Sequence, residues 1–382
     1  MRIVLYTNIL TPYRKYFFDT LFEQCRQKNI QFTVLVMAET ESNRLWRYEE
    51  YQAEYTMLLA HKTVSYKGIY IHYNSDLKEK LLELKPTHVI CAGGYLCPGI
   101  NKVLKLKSVL NYETYFWSES HLNEMRNYLN FLIKIREAIR KSFYNKFDGF
   151  WYAGKMSLEF IEKYSYKKTK KIFVPNIVDN KIFDWHFFDD IQKKETRKKY
   201  KIEADKLVFI CPARLSTVKG IDKFINIVKD YPKKDNFLFV LAGDGELKDS
   251  INDVAQKYNI NIRILGYLPQ KEIAKLYSVG DFFLMPSLSD PNPLTCIEAI
   301  WAGLPLLVSS HVGNYPEIID INENGFVFNY DDIENIFDIL DRIVSLDKEW
   351  YESAKNKSYS KAQNNYQADT LAIRIINELK YK

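Results

Sequence analysis

Arg214-Leu215-Ser216-Thr217-Val218-Lys219-Gly220 opens a series of short motifs whose order decides the fold. Gly243-Asp244-Gly245 follows, then Leu265-Gly266-Tyr267, then Pro286-Ser287-Leu288-Ser289-Asp290, with seven residues between Asp290 and Glu298-Ala299. Apolar runs precede them: 207–213, 236–242, 262–265 and 282–285, with 306–309 further on. Helical patterns over 221–229, 270–279 and 294–301 lie between the runs. Short apolar runs alternating with helices predict βαβ units and a parallel sheet. Such a sheet binds ligands at the carboxyl ends of its strands. Arg214, Gly243 and Ser287 all fall at such ends.

The residue types at those ends suit a nucleotide-sugar diphosphate. A leaving nucleoside diphosphate gains negative charge as the sugar bond breaks. Arg214 and Lys219 would stabilise that charge, the first with a planar fork and the second with a point charge. Gly220 permits a tight turn into the next helix. Read singly, these are two solvated cations near a turn. Glu298 lies on the helix that opens near Pro293, where its carboxylate can accept two hydrogen bonds from a ribose diol. Its plainer reading is an acid near a helix start. Asp290 lies on the preceding loop, within reach of a sugar's hydroxyls. The backbone around Leu294 and Thr295 offers N–H groups to a phosphate, whereas Pro291 and Pro293 have none to give. Gly243 belongs to a turn without the third glycine of a dinucleotide fingerprint, so NAD chemistry is disfavoured. Tyr267 follows a strand end that could present backbone groups to a base.

Working outward, 382 residues predict two domains, and 47% apolar with 15% aromatic residues predicts packed cores. The boundary is expected near residue 180, after Val174-Pro175-Asn176-Ile177-Val178-Asp179. A second domain is expected over 181–360, and a carboxyl-terminal helix over 361–382 that could cross back to the first. Five widely spaced cysteines predict reduced thiols and a cytoplasmic setting. No apolar run is long enough to span a bilayer. The first 180 residues carry 27 Lys and Arg against 18 Asp and Glu, while the remainder carries 27 against 30. A basic half suggests an anionic partner, a membrane surface, a phosphorylated acceptor or nucleic acid, beside the plainer reading of ordinary solubility charge; nucleic acid is not among the expected partners.

The amino-terminal half alternates less cleanly. Its best strands are 3–6, 32–36, 88–92 and 149–152. Trp117-Ser118-Glu119-Ser120-His121 clusters an aromatic, an acid and a base just beyond a probable strand, so Glu119 and His121 are catalytic candidates. Thr11-Pro12-Tyr13-Arg14 follows the first strand and could line the same cleft. The stretch 128–147 is apolar and basic together. Leu129, Leu132, Ile133, Ile135, Ile139 and Phe143 form an apolar face flanked by Lys134, Arg136, Arg140, Lys141 and Lys146. Such a helix either lies on an anionic membrane or packs on a core.

The ordered set resembles the family-four retaining glycosyltransferases. Arg214…Lys219-Gly220, Gly243-Asp244-Gly245, Leu265-Gly266-Tyr267 and the box ending at Glu298-Ala299 carry the likeness. The 174–179 segment is similar to the family's linker, and Ala302-Gly303-Leu304-Pro305 to its run after the box. The likeness covers most of 170–330. It implies an α/β GT-B fold, two facing Rossmann-like domains with a central cleft, the first binding acceptor and the second the nucleotide sugar. It implies that Arg214 and Lys219 hold the donor diphosphate, Glu298 the ribose and Asp290 the transferred sugar. It implies that His121 or Glu119 faces the reacting centre. It also implies no cofactor or essential metal, and a role in capsule, O-antigen or other envelope polysaccharide synthesis at the inner membrane face. The acceptor would be a glycan or lipid-linked glycan. Asp290 stands where the family usually has Glu, and Pro291-Asn292-Pro293 replaces Gly-x-Gly, which bears on donor-sugar identity. The alternatives are a silent glycosyltransferase-like subunit and a sugar-nucleotide epimerase on the same fold.

Overall fold

A computed structural model describes residues 1–41, 47–66, 69–122, 130–166 and 168–380, the side chains of 69 and 130–132 excepted. The chain forms two compact units. One is built from the chain up to Ile177 together with Ala368–Lys382, and the other from Val178–Gln367. The helix Lys348–Tyr366 thus belongs to the second unit and Ala368–Lys380 to the first.

The second unit is a six-stranded parallel sheet. From edge to edge its strands are Ile262–Ile264, Phe237–Leu241, Leu207–Cys211, Phe282–Met285, Leu306–Ser309 and Gly325–Phe328. Numbered along the chain, that order is 3-2-1-4-5-6, the doubly wound order. Phe237–Leu241, Phe282–Met285 and Leu306–Ser309 are buried throughout. Helices cover both faces of such a sheet, so these strands are apolar at every position except Ser309 and do not alternate. Phe209, Phe224, Phe239, Phe282 and Leu340 are among the residues of its main core. The order reverses between Leu207–Cys211 and Phe282–Met285, and a crevice opens there at the carboxyl ends.

The first unit has a seven-stranded parallel sheet. Its order is Thr56–Leu58, Gln31–Val36, Arg2–Thr7, His88–Ala92, Glu113–Ser118, Gly149–Tyr152 and Lys170–Phe173. The reversal falls between Arg2–Thr7 and His88–Ala92. Trp117 and Ser118 are inside a strand, not beyond one, and register with Trp151 and Tyr152 of the neighbouring strand. A separate antiparallel hairpin, His61–Tyr66 with Ile69–Asn74, stands outside the sheet. The closing helix Ala368–Lys380 packs on Pro12–Gln27. Leu371, Ala372, Ile375, Ile376 and Leu379 are buried, and the Gln24 amide donates to Asp369 at 3.1 Å.

The basic stretch divides its side chains in a way periodicity did not separate. Tyr128 and Leu129 lie outside the described residues, as does the side chain of Leu132. Phe143 enters the core with Tyr144 and Phe147, whereas Ile133, Ile135 and Ile139 are exposed. Arg140 is not a flanking solvated cation. Its guanidinium lies 4.9 Å from the Phe160 ring centroid and donates to the Tyr164 hydroxyl at 3.4 Å.

Candidate active site

The crevice of the second unit is assembled by tight backbone approaches. Gly220 adopts φ +63°, and a Cβ there would come 2.2 Å from the Pro286 carbonyl oxygen. The loops after the first and fourth strands of this sheet are therefore in direct contact. The buried Tyr330 hydroxyl lies 2.6 Å from the Pro286 carbonyl and 3.0 Å from that of Gly220. Leu288 N–H donates to the Val218 carbonyl at 2.9 Å. Gly243 approaches the Ala213 carbonyl so closely that a Cβ would stand 2.0 Å from its oxygen. Leu215 N–H donates to the Asp244 carbonyl at 2.9 Å. The motifs that the sequence spreads over 85 residues, 214–298, are thereby sutured together.

Lys219 and Asp290 meet at this suture, with Nζ 2.5 Å from Oδ2 and side-chain exposures of 24% and 13%. The cation assigned to a diphosphate and the carboxylate assigned to a sugar are each other's counter-ion. Arg214 is exposed, and its side chain has no hydrogen bond or ion pair among the described residues. Two cations of different engagement thus flank the crevice, one braced by a carboxylate and one free to fold onto a ligand. Asp290 is itself fixed by its backbone. Its N–H donates to the His311 carbonyl at 3.3 Å, and its carbonyl accepts from Gly313 N–H at 2.8 Å.

The helix Leu294–Trp301 begins at Pro293 with no side-chain cap and no acid in its first turn. Glu298 therefore lies beyond the first turn, and helix-start complementarity does not account for it. It is buried, and the Tyr277 hydroxyl donates to Oε2 at 3.0 Å. Burial raises its carboxyl pKa to about 7, and the tyrosine bond only partly offsets that. Thr295 Oγ1, Asn292 Nδ2 and Ser216 Oγ are buried polar atoms without a hydrogen-bond partner among the described residues. Tyr267 is 80% exposed and Gly266 takes φ +70°.

The first unit brings the Thr11–Arg14 and Trp117–His121 segments together. Arg14 Nη2 lies 3.1 Å from Glu119 Oε1, and the Arg14 guanidinium lies 4.1 Å from the Trp117 ring centroid. Trp117 Nε1 donates to the Val174 carbonyl at 3.2 Å. His121 is buried. Tyr277, Tyr330 and the Asn314–Asn292 amide contact at 3.0 Å were not anticipated. Each sits in an element remote in sequence from the group it holds.

Residues 192–362 match the family model described as glycosyl transferases group 1. This segment is a glycosyl transferases group 1 domain. Among curated relatives, an uncharacterized glycosyltransferase of Methanocaldococcus jannaschii is 27% identical over 209 residues, 53% of this chain and 53% of that one. The UDP-Gal:alpha-D-GlcNAc-diphosphoundecaprenol alpha-1,3-galactosyltransferase of Escherichia coli is 31% identical over 181 residues, 45% of this chain and 44% of that one. The chain spans about half the length of the curated relatives it matches. Among solved structures, Anabaena HepE in complex with UDP aligns with TM-score 0.75 at 14% identity, over 99% of both chains. The fold is accordingly GT-B, with two Rossmann-like units. No helix of the described residues is long and apolar enough to cross a membrane.

Proposed function

We propose that this glycosyl transferases group 1 chain moves a sugar from a nucleoside-diphosphate sugar to a glycan or lipid-linked acceptor, with retention at the anomeric carbon. The observation that carries the reading is the 2.5 Å Lys219–Asp290 contact at the reversal of the second sheet. It joins the cation motif to the carboxylate box where a doubly wound sheet binds ligands. Arg214 and Lys219 hold the diphosphate and stabilise the charge it gains on leaving. The N–H groups of Leu294 and Thr295 add to that hold. Glu298 accepts from the ribose, Asp290 from the transferred sugar, and Gly243 and Tyr267 border the nucleotide. Glu119 and His121 of the first unit keep the catalytic assignment suggested by the sequence, and Arg14 positions Glu119 through their ion pair.

The name of the Escherichia coli relative supports a lipid-linked acceptor, and with it envelope polysaccharide synthesis as the setting. Its name and that of the UDP-bound structural neighbour make UDP-sugars the first donors to try. The exposed Ile133, Ile135 and Ile139 beside Lys134 and Lys141 support a peripheral contact with an anionic membrane. The deciding experiment is a donor panel with a lipid extract as acceptor, reading nucleotide release and the anomeric configuration of the product by NMR. An inverted product removes the retaining assignment, and an absence of transfer with every donor removes the enzyme reading.

A further inference from the structure

The hairpin of the first unit has no part in the parallel sheet, yet its base is firmly held. Asn74, at the end of its second strand, is buried. Asn74 accepts from the Tyr6 hydroxyl at 2.7 Å and donates to the Met37 carbonyl at 2.8 Å. That strand packs against the helix Pro98–Leu110. The strand His61–Tyr66, by contrast, is exposed at every residue. A cavity of about 440 Å³ opens between the hairpin base and the start of that helix.

Its lining has one electrostatic sign. His61, Lys62 and Lys102 line it, and no carboxylate does among the described residues. Lys102 Nζ donates to the Asn74 carbonyl at 2.9 Å, which occupies one of its three N–H groups and fixes where the ammonium sits. The His61 ring donates from Nδ1 to the Leu59 carbonyl at 3.1 Å, so in the neutral ring its other nitrogen is an acceptor and offers a phosphate no hydrogen. Lys62 faces Tyr73 across the hairpin, and that tyrosine is half exposed at the cavity wall. The helix adds its own positive end. It begins at Pro98, with no acid in the first turn and no side-chain cap, and Pro98 and Gly99 border the cavity. The carboxylate of Asp76 stands behind the wall, its Oδ2 accepting from the N–H of Ala60, which lines the cavity, at 3.1 Å, so the two lysines outweigh one neighbouring acid.

We propose that this cavity between the hairpin and the helix start is a phosphate-binding site, holding a phosphate or diphosphate group carried by the acceptor. Two lysine ammonium groups supply the donors, Lys62 from the exposed strand and Lys102 from the helix, beside the positive end of that helix. A phosphate, with more acceptor oxygens than a carboxylate, uses more of them. The site performs no covalent step. It anchors the acceptor by a group remote from the one that reacts. This rests on the reading that the first unit binds acceptor, and it adds the chemical class that unit selects.

The test is calorimetric titration of inorganic pyrophosphate into protein kept saturated with UDP, so that the nucleotide crevice is occupied. Wild type should bind pyrophosphate, with affinity falling as salt is added. Lys62→Met should weaken binding by roughly tenfold or more, the loss of one charged hydrogen bond. Lys62 is exposed, so its replacement leaves the fold alone. Lys62→Met/Lys102→Met should weaken binding further while UDP affinity stays at the wild-type value, and Lys62→Met alone should keep the wild-type melting temperature. No pyrophosphate heat in the UDP-saturated wild type overturns the proposal, as does equal affinity in wild type and double variant. Vesicles containing an anionic phospholipid make the second arm. Competition with pyrophosphate assigns the phosphate to a lipid, and its absence assigns it to a soluble phosphorylated glycan. If UDP fails to bind while Lys62-dependent pyrophosphate binding persists, the donor reading falls and this site stands.

Discussion

Glu298 shows how one buried side chain carries both a stability and a binding consequence. Its carboxyl titrates near 7 because burial disfavours the charge. The native state therefore binds a proton more tightly than the unfolded chain. Its contribution to stability is full below the ordinary carboxylate range and is lost as pH rises toward 7. Melting temperature should fall between pH 5 and pH 8 more in wild type than in Glu298→Gln. If the ribose is gripped by the carboxylate, UDP affinity should rise over the same interval in wild type and stay flat in the variant. Calorimetry across that range checks both. The two cations should behave differently from each other. Arg214→Ala and Lys219→Ala should each cost turnover by roughly 10²–10³, as for loss of one preorganised donor. Arg214 is exposed and unengaged, so its loss should leave stability unchanged. Lys219→Ala strips Asp290 of its partner and should cost about 1–3 kcal/mol in denaturant unfolding, with Lys219→Ala/Asp290→Asn recovering part of it. Transfer should persist in excess chelator, since these cations supply the charge a metal would otherwise bring. A loss reversed by added metal would assign that role to an ion.

At the scale of elements, the turn at Gly220 is the tightest constraint on the site. A side chain there meets the Pro286 carbonyl in a left-handed backbone conformation. Gly220→Ala should destabilise by about 1–3 kcal/mol and lower turnover as well, because Lys219 precedes the turn. Thermal melts and steady-state rates on the same preparation check this. The helix Asn130–Tyr144 gives the membrane prediction. Wild type should bind anionic vesicles at low salt, and Ile135→Ser/Ile139→Ser should abolish that binding without changing the fold. Wild type indifferent to vesicles would leave those isoleucines to another partner. Much of the second unit was legible because its strands are uninterrupted apolar runs. Phe282–Met285, Leu294–Trp301 and Leu306–Ser309 coincide with their sequence reading. The hairpin was not, since His61–Tyr66 is polar and exposed and carries no burial pattern. The Tyr277–Glu298 bond was also silent, because it joins two helices and Tyr277 carries no signal in its own segment. The split of the basic helix was hidden because Ile135, Ile139 and Phe143 share one face at four-residue spacing, and exposure changes along the helix where periodicity reports only what changes around it.

At the scale of the whole molecule, the chain returns to the first unit after building the second. The helix Ala368–Lys380 is joined in sequence to one unit and in contact to the other. Lys170 Nζ donates to the Glu378 carbonyl at 2.6 Å, and Arg374 Nη2 to the Phe173 carbonyl at 3.4 Å, so the helix also braces the edge strand Lys170–Phe173. Burial of a large aliphatic side chain is worth about 1.5–3 kcal/mol. Leu371, Ile375, Ile376 and Leu379 together thus contribute on the order of the 5–15 kcal/mol that holds a domain folded, taken as an upper estimate. A chain ending at Gln367 should therefore lose the cooperative unfolding of the first unit. The second unit keeps its whole sheet, its core and the Lys219–Asp290 contact, and it should still bind UDP. Differential scanning calorimetry should show one transition lost and one retained, and UDP should shift the retained one upward by mass action. Transfer should be absent even though the nucleotide binds. If the shortened chain melts with both transitions intact, the closing helix is an ornament on the first unit, and the energetic reading of its buried face is wrong. If UDP no longer shifts the remaining transition, the donor crevice depends on more than Val178–Gln367.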